Sequence, residues 1–174
     1  VSKKGLSGWH AARKFGFEKS STSVSETLED PSINVAVIAT RHDKHFDLVK
    51  LALQKGKHVF VEKPLCLTSQ ELSDLKNTYY SLDKKPILMV GFNRRFSPFI
   101  SKLKQSIYQI NQPISINITV NAGKISAEHW VHDQRIGGGR IIGEACHFVD
   151  LMRFLAGSKI VASNMMMMDA LTND

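Results

Sequence analysis

The sequence predicts an α/β fold: part of a parallel sheet with crossover helices, followed by part of an α+β domain whose sheet is open and largely antiparallel. Three observations carry this. Apolar strand-like runs alternate with helical periodicities between residues 33 and 91, the order that makes parallel sheets with right-handed crossovers. Those runs are continuously apolar, as strands covered on both faces are, whereas after Gly91 the apolar residues alternate with polar ones, as in a half-exposed antiparallel sheet. A polar stretch ending in Gly137-Gly138-Gly139 then precedes a further helix.

Ile33 to Thr40 (INVAVIAT) is rich in β-branched residues and predicts a strand at the centre of the sheet, buried on both faces. From Asp43 to Gln54, Phe46, Val49, Leu51, Ala52 and Leu53 recur at helical spacing, and Lys55-Gly56 supplies a stop. Lys57 to Val61 is the second strand. Thr68 to Leu82 is the second helix, with Thr68 as N-cap and Glu71 three residues on, the spacing of a capping box. Pro86 to Gly91 (PILMVG) is the third strand. Phe96 to Ile110 predicts a helix, Ile114 to Val120 (ISINITV) a one-sided strand, Glu144 to Ala156 a helix closed by Gly157, and Lys159 to Met168 a final apolar strand. A boundary near Gly91 to Asn93 gives two domains, 1–92 for a dinucleotide-binding unit and 93–174 for substrate binding and oligomerisation.

Composition narrows the function classes. With 43% hydrophobic and 22% charged residues and no low-complexity tract, the chain has the makeup of a packed globular protein. No apolar run approaches the roughly 20 residues of a membrane span, and Val1-Ser2-Lys3-Lys4-Gly5 has no signal-peptide core, so a cytoplasmic location is expected. Cys66 and Cys146 lie far apart without Cys/His ligand spacing, which speaks against a disulfide scaffold or a structural metal and reads as two small hydrophobes. The net charge of +7 is spread along the chain. Without a basic stripe interleaved with aromatics, a small anionic ligand accounts for it as well as nucleic acid does, and no nucleic acid is expected. The run Met165 to Met168 reads as a sheet face, and an unfinished sheet edge there predicts a homo-oligomer.

A dinucleotide fold normally opens with a strand, a GxGxxG turn and a helix. Gly5-Leu6-Ser7-Gly8 has the wrong spacing, so the sequence reads as a fragment that begins after the second strand of such a fold. The strongest chemical signal is Val61-Glu62-Lys63-Pro64, at the strand end where open α/β sheets place their ligands. Gly56 to Leu65 (GKHVFVEKPL), preceded by Ala39-Thr40 and His45, resembles the Gfo/Idh/MocA oxidoreductases, with a partial Rossmann-type sheet as the implied fold.

The resemblance implies NAD or NADP as cofactor and reversible hydride transfer to or from a carbinol of a sugar, nucleotide sugar or cyclitol. It places Lys63 by the nicotinamide and the reacting hydroxyl, Glu62 on the nicotinamide ribose, and Pro64 in the turn. A partly desolvated lysine near other cations can exchange a proton with a hydroxyl as hydride leaves its carbon. Lys3 and Lys4 weakly favour the 2′-phosphate of NADP. Thr40-Arg41-His42-Asp43-Lys44-His45 stands where the family often has Thr-Pro-Asn-x-x-His: Thr40 and His45 match and imply cofactor contact, Arg41 and His42 depart. His45 is equally readable as a polar residue filling space at a helix start.

Gly91 to Phe96 (GFNRRF) is similar to the family's passage between domains, and Arg95, or Arg94, can reach the cofactor or an anionic substrate group or serve in an ion pair. Gly137 to Asp150 (GGGRIIGEACHFVD) resembles the family's glycine-led helix with a catalytic histidine, which assigns His147 to proton transfer with Lys63 and Asp150 to orienting it and to the substrate. Four residues before His147, where many members carry aspartate, this chain has Gly143, with Glu144 beside it as an imperfect substitute. At about 100° per residue, a one-place shift on an α-helix moves that carboxylate off the His147 face. The alternative from another class is a non-catalytic ligand sensor on the same fold.

Overall fold

The computed structural model describes residues 1–166. By spatial proximity the chain divides into two compact units, one of Val1–Phe92 with Ala122–Cys146, the other of Asn93–Asn121 with His147 onward. Residues 122–146 therefore group with the first unit, although the sequence reading placed them after the boundary.

The first unit opens with two helices that the sequence reading did not assign, α1 (Gly5–Phe15) and α2 (Val24–Glu29). Neither contributes much to the core: α1 has no buried residue and α2 buries Leu28 alone. Then follow β1 (Val35–Ile38), a short 3-10 turn (His42–Lys44), α3 (His45–Gln54), β2 (His58–Val61), α4 (Ser69–Ser81) and β3 (Leu88–Val90). Among the described residues the strands form one parallel sheet in the order β1-β2-β3. The expected strands and helices between 33 and 91 are present, each a residue or more shorter than its apolar run, because pairing ends before the run does.

The register puts Ala36, Val59 and Leu88 in one row across the sheet and Ile38, Val61 and Val90 in the next. These rows pack on Val49, Ala52 and Leu53 of α3 and Leu75 of α4, and the core of the unit sits there. The Thr68 hydroxyl accepts from the Glu71 amide while the Glu71 carboxylate accepts from the Thr68 amide, the capping box that the spacing predicts. Expectation and structure differ at β1: it lies at the edge of the described sheet, and Val35 and Val37 are 53% and 70% exposed. An apolar run reports that a strand can be covered on both faces, not which of its neighbours covers it.

In the second unit, a 3-10 turn (Asn93–Phe96) leads into α5 (Pro98–Tyr108), whose first turn carries Pro98 as its preset φ permits. The helix α6 (Cys146–Ala156) lies beside it in this unit, with the Lys104 ammonium donating to the Leu155 carbonyl at 2.9 Å. Neither sheet strand expected after Gly91 is present among the described residues: 114–120 and 159–166 are irregular, and Met167 and Met168 lie outside the described residues. An alternating pattern specifies a strand only where another strand accepts its backbone hydrogen bonds, and the described residues supply none. No described helix is long and apolar enough to cross a membrane.

Candidate functional site

The C-terminal ends of β1 and β2 turn into loops that line an open cavity of about 330 Å³ in the first unit. Its lining includes Ala39 and Thr40 after β1, Glu62 and Lys63 after β2, and His42, Trp130 and Glu144 from the surrounding segments. Strand ends collect such residues because each backbone emerges there with side chains no longer committed to sheet packing.

Lys63 is the best-held member. Its side chain is 14% exposed, and its ammonium donates to the Gly143 carbonyl at 2.7 Å and lies 3.2 Å from the Glu144 carboxylate. The following Lys63–Pro64 peptide bond is cis. Glu62 is half-buried, and its carboxylate stands over Gly91, where a β-carbon would come within 3.2 Å of it.

The offset of Glu144 from the expected acidic position is accommodated by the backbone. Residues Ile141–Ala145 form a π-helical turn, in which the Cys146 amide donates to the Ile141 carbonyl. Such a turn holds one more residue than an α-turn, so the angular phase from which Glu144 was expected to miss its place does not apply. Glu144 meets Lys63, which sequence reasoning on an ideal α-helix did not anticipate. Upstream, Gly137 is required by close approach, since a β-carbon there would fall 2.5 Å from the Val131 backbone.

Thr40 is exposed on the cavity rim, its hydroxyl donating to the Arg41 carbonyl at 3.2 Å. His45 is placed differently from a cofactor-facing residue: it is 0% exposed and absent from the cavity lining. Its Nδ1 lies 2.7 Å from the Pro64 carbonyl and its Nε2 3.1 Å from the Thr40 carbonyl, so it ties the two strand-end loops together. His42, noted in the sequence only as a departure, is a buried wall of the cavity with Nδ1 2.8 Å from the Gly137 carbonyl. Burial holds its pKa below the ordinary value, against the opposing effect of that carbonyl, and Lys63 lowers it further. Trp130 stacks edge-on to it at 4.9 Å, with the Arg41 guanidinium over the indole at 5.5 Å. No spacing signal marked Trp130, because it reaches the cavity from a single 3-10 turn (Trp130–His132) far along the chain.

In the second unit, Arg95 and Asp150 form a two-pronged ion pair: the Arg95 Nε donates to one carboxylate oxygen at 2.6 Å and a terminal guanidinium nitrogen to the other. The pairing raises the pKa of Arg95. Asp150 is 8% exposed, and with both oxygens engaged by Arg95 its carboxylate is a structural partner of that residue before it is anything else. Arg94 lies over the Phe148 ring at 4.5 Å. His147 is 8% exposed on the first turn of α6. Among the described residues no group of three or more His, Cys, Asp or Glu is arranged to hold a metal ion.

Comparison with known proteins identifies the family and the fold. The model of the GFO/IDH/MocA oxidoreductase family, NAD-binding Rossmann fold, matches residues 3–92. A levoglucosan dehydrogenase of Pseudarthrobacter phenanthrenivorans is 33% identical over 154 residues, 84% of this chain and 39% of its own length. The scyllo-inositol 2-dehydrogenase (NAD(+)) of Bacillus subtilis is 35% identical over 154 residues, 87% of this chain and 43% of its own. Among solved structures, a levoglucosan dehydrogenase in complex with NADH and levoglucosan superposes with a TM-score of 0.76 at 30% identity, over 89% of this chain and 43% of that one. A probable dehydrogenase from Thermotoga maritima superposes with a TM-score of 0.80 at 26% identity, over 90% and 46%. The chain thus spans less than half the length of these proteins.

Proposed function

Because the chain belongs to the GFO/IDH/MocA oxidoreductase family, we propose that the protein transfers hydride between NAD or NADP and a carbinol of a sugar, nucleotide sugar or cyclitol, with Lys63 and His147 handling the hydroxyl proton. The observation that carries this is Lys63 at the end of β2, its ammonium fixed by the Gly143 carbonyl and the Glu144 carboxylate in the wall of an open cavity. Two relatives, 33% and 35% identical to this chain, act by name on levoglucosan and on scyllo-inositol, both polyhydroxylated and uncharged.

The residues fit a nicotinamide at this cavity: Thr40 and Glu62 offer a hydroxyl and a carboxylate at adjacent strand ends, suited to ribose hydroxyls, and Ala39 and Trp130 add a small and a flat surface. When bound, the nicotinamide supplies the hydride acceptor or donor. The protein's part is positioning and proton transfer. Lys63 exchanges the proton of the reacting hydroxyl, and Glu144 keeps the ammonium aimed while its other oxygen serves a neighbouring hydroxyl. His147, on α6, is the second proton-handling group, in the chemical role that imidazole suits near neutral pH. Thr40, Glu62 and Pro64 hold the cofactor side; His45 acts on it through the Thr40 and Pro64 carbonyls. Arg95 and Asp150 hold one another as a pair, and the roles proposed for them are cofactor contact for Arg95 and substrate contact for Asp150. We also propose that the protein self-associates through its second unit.

A panel of inositols and sugars assayed for NADH or NADPH formation tests the reading. Lys63→Met is expected to lower turnover on the order of 10²- to 10⁴-fold, the range of a lost proton-transfer group, with cofactor affinity retained. Cofactor and sugar binding with no turnover by the unaltered protein would instead make it a sensor.

A further inference from the structure

We propose that His42 positions the substrate: its Nε2 accepts a hydrogen bond from a hydroxyl held beside Lys63, and position 143 is glycine because the His42 ring stands where a side chain there would go. The inference rests on the proposed dehydrogenase function and narrows its substrate class.

The steric half comes from distances. A β-carbon on Gly143 would lie 3.1 Å from Cε1 and 3.4 Å from Nδ1 of His42, and 3.2 Å from the Gly137 carbonyl oxygen. These are tighter than ordinary van der Waals contact, and the ring has little room to yield. Its Nδ1 is bonded to Gly137 and its flank lies against the edge of Trp130. The two departures from the family pattern, histidine at 42 and glycine at 143, are therefore one exchange. The carboxylate that would have stood at 143 is supplied from Glu144 through the π turn.

The chemical half comes from the tautomer. A carbonyl oxygen only accepts, so Nδ1 is the donor toward Gly137, and in the neutral ring Nε2 is then an acceptor. Burial and the nearby Lys63 charge both favour the neutral ring. His42, Lys63 and Glu144 all line the cavity, and the proposed Nε2 contact gives this wall one cation, one carboxylate and one neutral acceptor. Two acceptors beside one donor suit hydroxyls, which donate as well as accept, and disfavour a carboxylate or phosphate at the same place. The substrate portion facing this wall is a neutral run of hydroxyls.

The test is made on the protein saturated with NADH, using myo-inositol and levoglucosan as probes. On adding the probe, the imidazole ¹⁵N signal of His42 Nε2 is expected to move as an acceptor nitrogen gaining a hydrogen bond does. His42→Phe, which keeps a flat ring against Trp130, is expected to weaken probe binding roughly tenfold, the loss of one hydrogen bond, with NADH affinity unchanged within about twofold. Gly143→Ala is expected to lower the melting temperature in the unaltered background and much less alongside His42→Ala. An unmoved Nε2 signal with a probe bound, or equal probe affinity in His42→Phe, would overturn the substrate half; additive effects of the two alanines would overturn the steric half. If NADH binds but neither probe does, the substrate half is overturned while the dehydrogenase reading is left to a nucleotide-sugar assay, and the melting experiment still decides the steric half.

Discussion

Among single residues, the most informative are those whose burial conflicts with their chemistry. His42 is a titratable ring enclosed by a carbonyl, an indole and Lys63, and burial lowers its pKa below 6.5. In the unfolded chain it ionises near 6.5, the ordinary value, so unfolding takes up a proton as the pH drops below that point. The stability that the neutral ring preserves is fully present above about 6.5 and is lost progressively as the pH falls toward the folded pKa. Urea midpoints measured at pH 7.5 and 5.5 are expected to fall less in His42→Asn than in the unaltered protein; equal falls would contradict the assigned environment. Cys66 offers a second test at this scale. Burial pushes its thiol up to about 11, so alkylation by iodoacetamide at pH 8 is expected to be many times slower at Cys66 than at a free cysteine in the unfolded chain, since the thiolate is the reactive form.

The elements between residues 33 and 91 were legible because each carries two independent signals. Helix α4 has both an apolar periodicity and the Thr68/Glu71 box, and its start is where that box puts it. Thr68→Ala is expected to destabilise the protein by about 1 kcal/mol, the usual worth of an N-cap, measured by denaturant unfolding with an unchanged slope. Leu53 on α3, wholly buried against the sheet, is the corresponding packing test: Leu53→Ala is expected to cost about 2–5 kcal/mol. At Ile114 to Val120 only one signal was present, and the expected strand is absent among the described residues. The alternation of Ile114 to Val120 describes a face but not a partner, and no described strand pairs with it. Helix α1 gave no signal, because its residues meet solvent and no cap is made by a side chain. The candidate site divides in the same way. Lys63 and Glu62 were legible from a motif fixed to a strand end, whereas the Glu144 contact depended on a π turn and the His42 wall on a residue far away in sequence, and neither has a periodic signature.

At the scale of the molecule, the chain matches its relatives over most of its own length but less than half of theirs. The first unit carries the sheet, the cavity and Lys63; the second carries His147 and the Arg95–Asp150 pair. The NAD-binding family model covers residues 3–92 of the part that carries Lys63. The most direct test is isotopic. The protein is incubated with NAD or NADP and myo-inositol or levoglucosan deuterated at the ring carbons, and the nicotinamide product is examined by mass spectrometry. Transfer of a single deuterium to the nicotinamide, abolished in Lys63→Met while cofactor still binds, is the predicted result. Cofactor and sugar bound together with no deuterium transferred by the unaltered protein would contradict the dehydrogenase account.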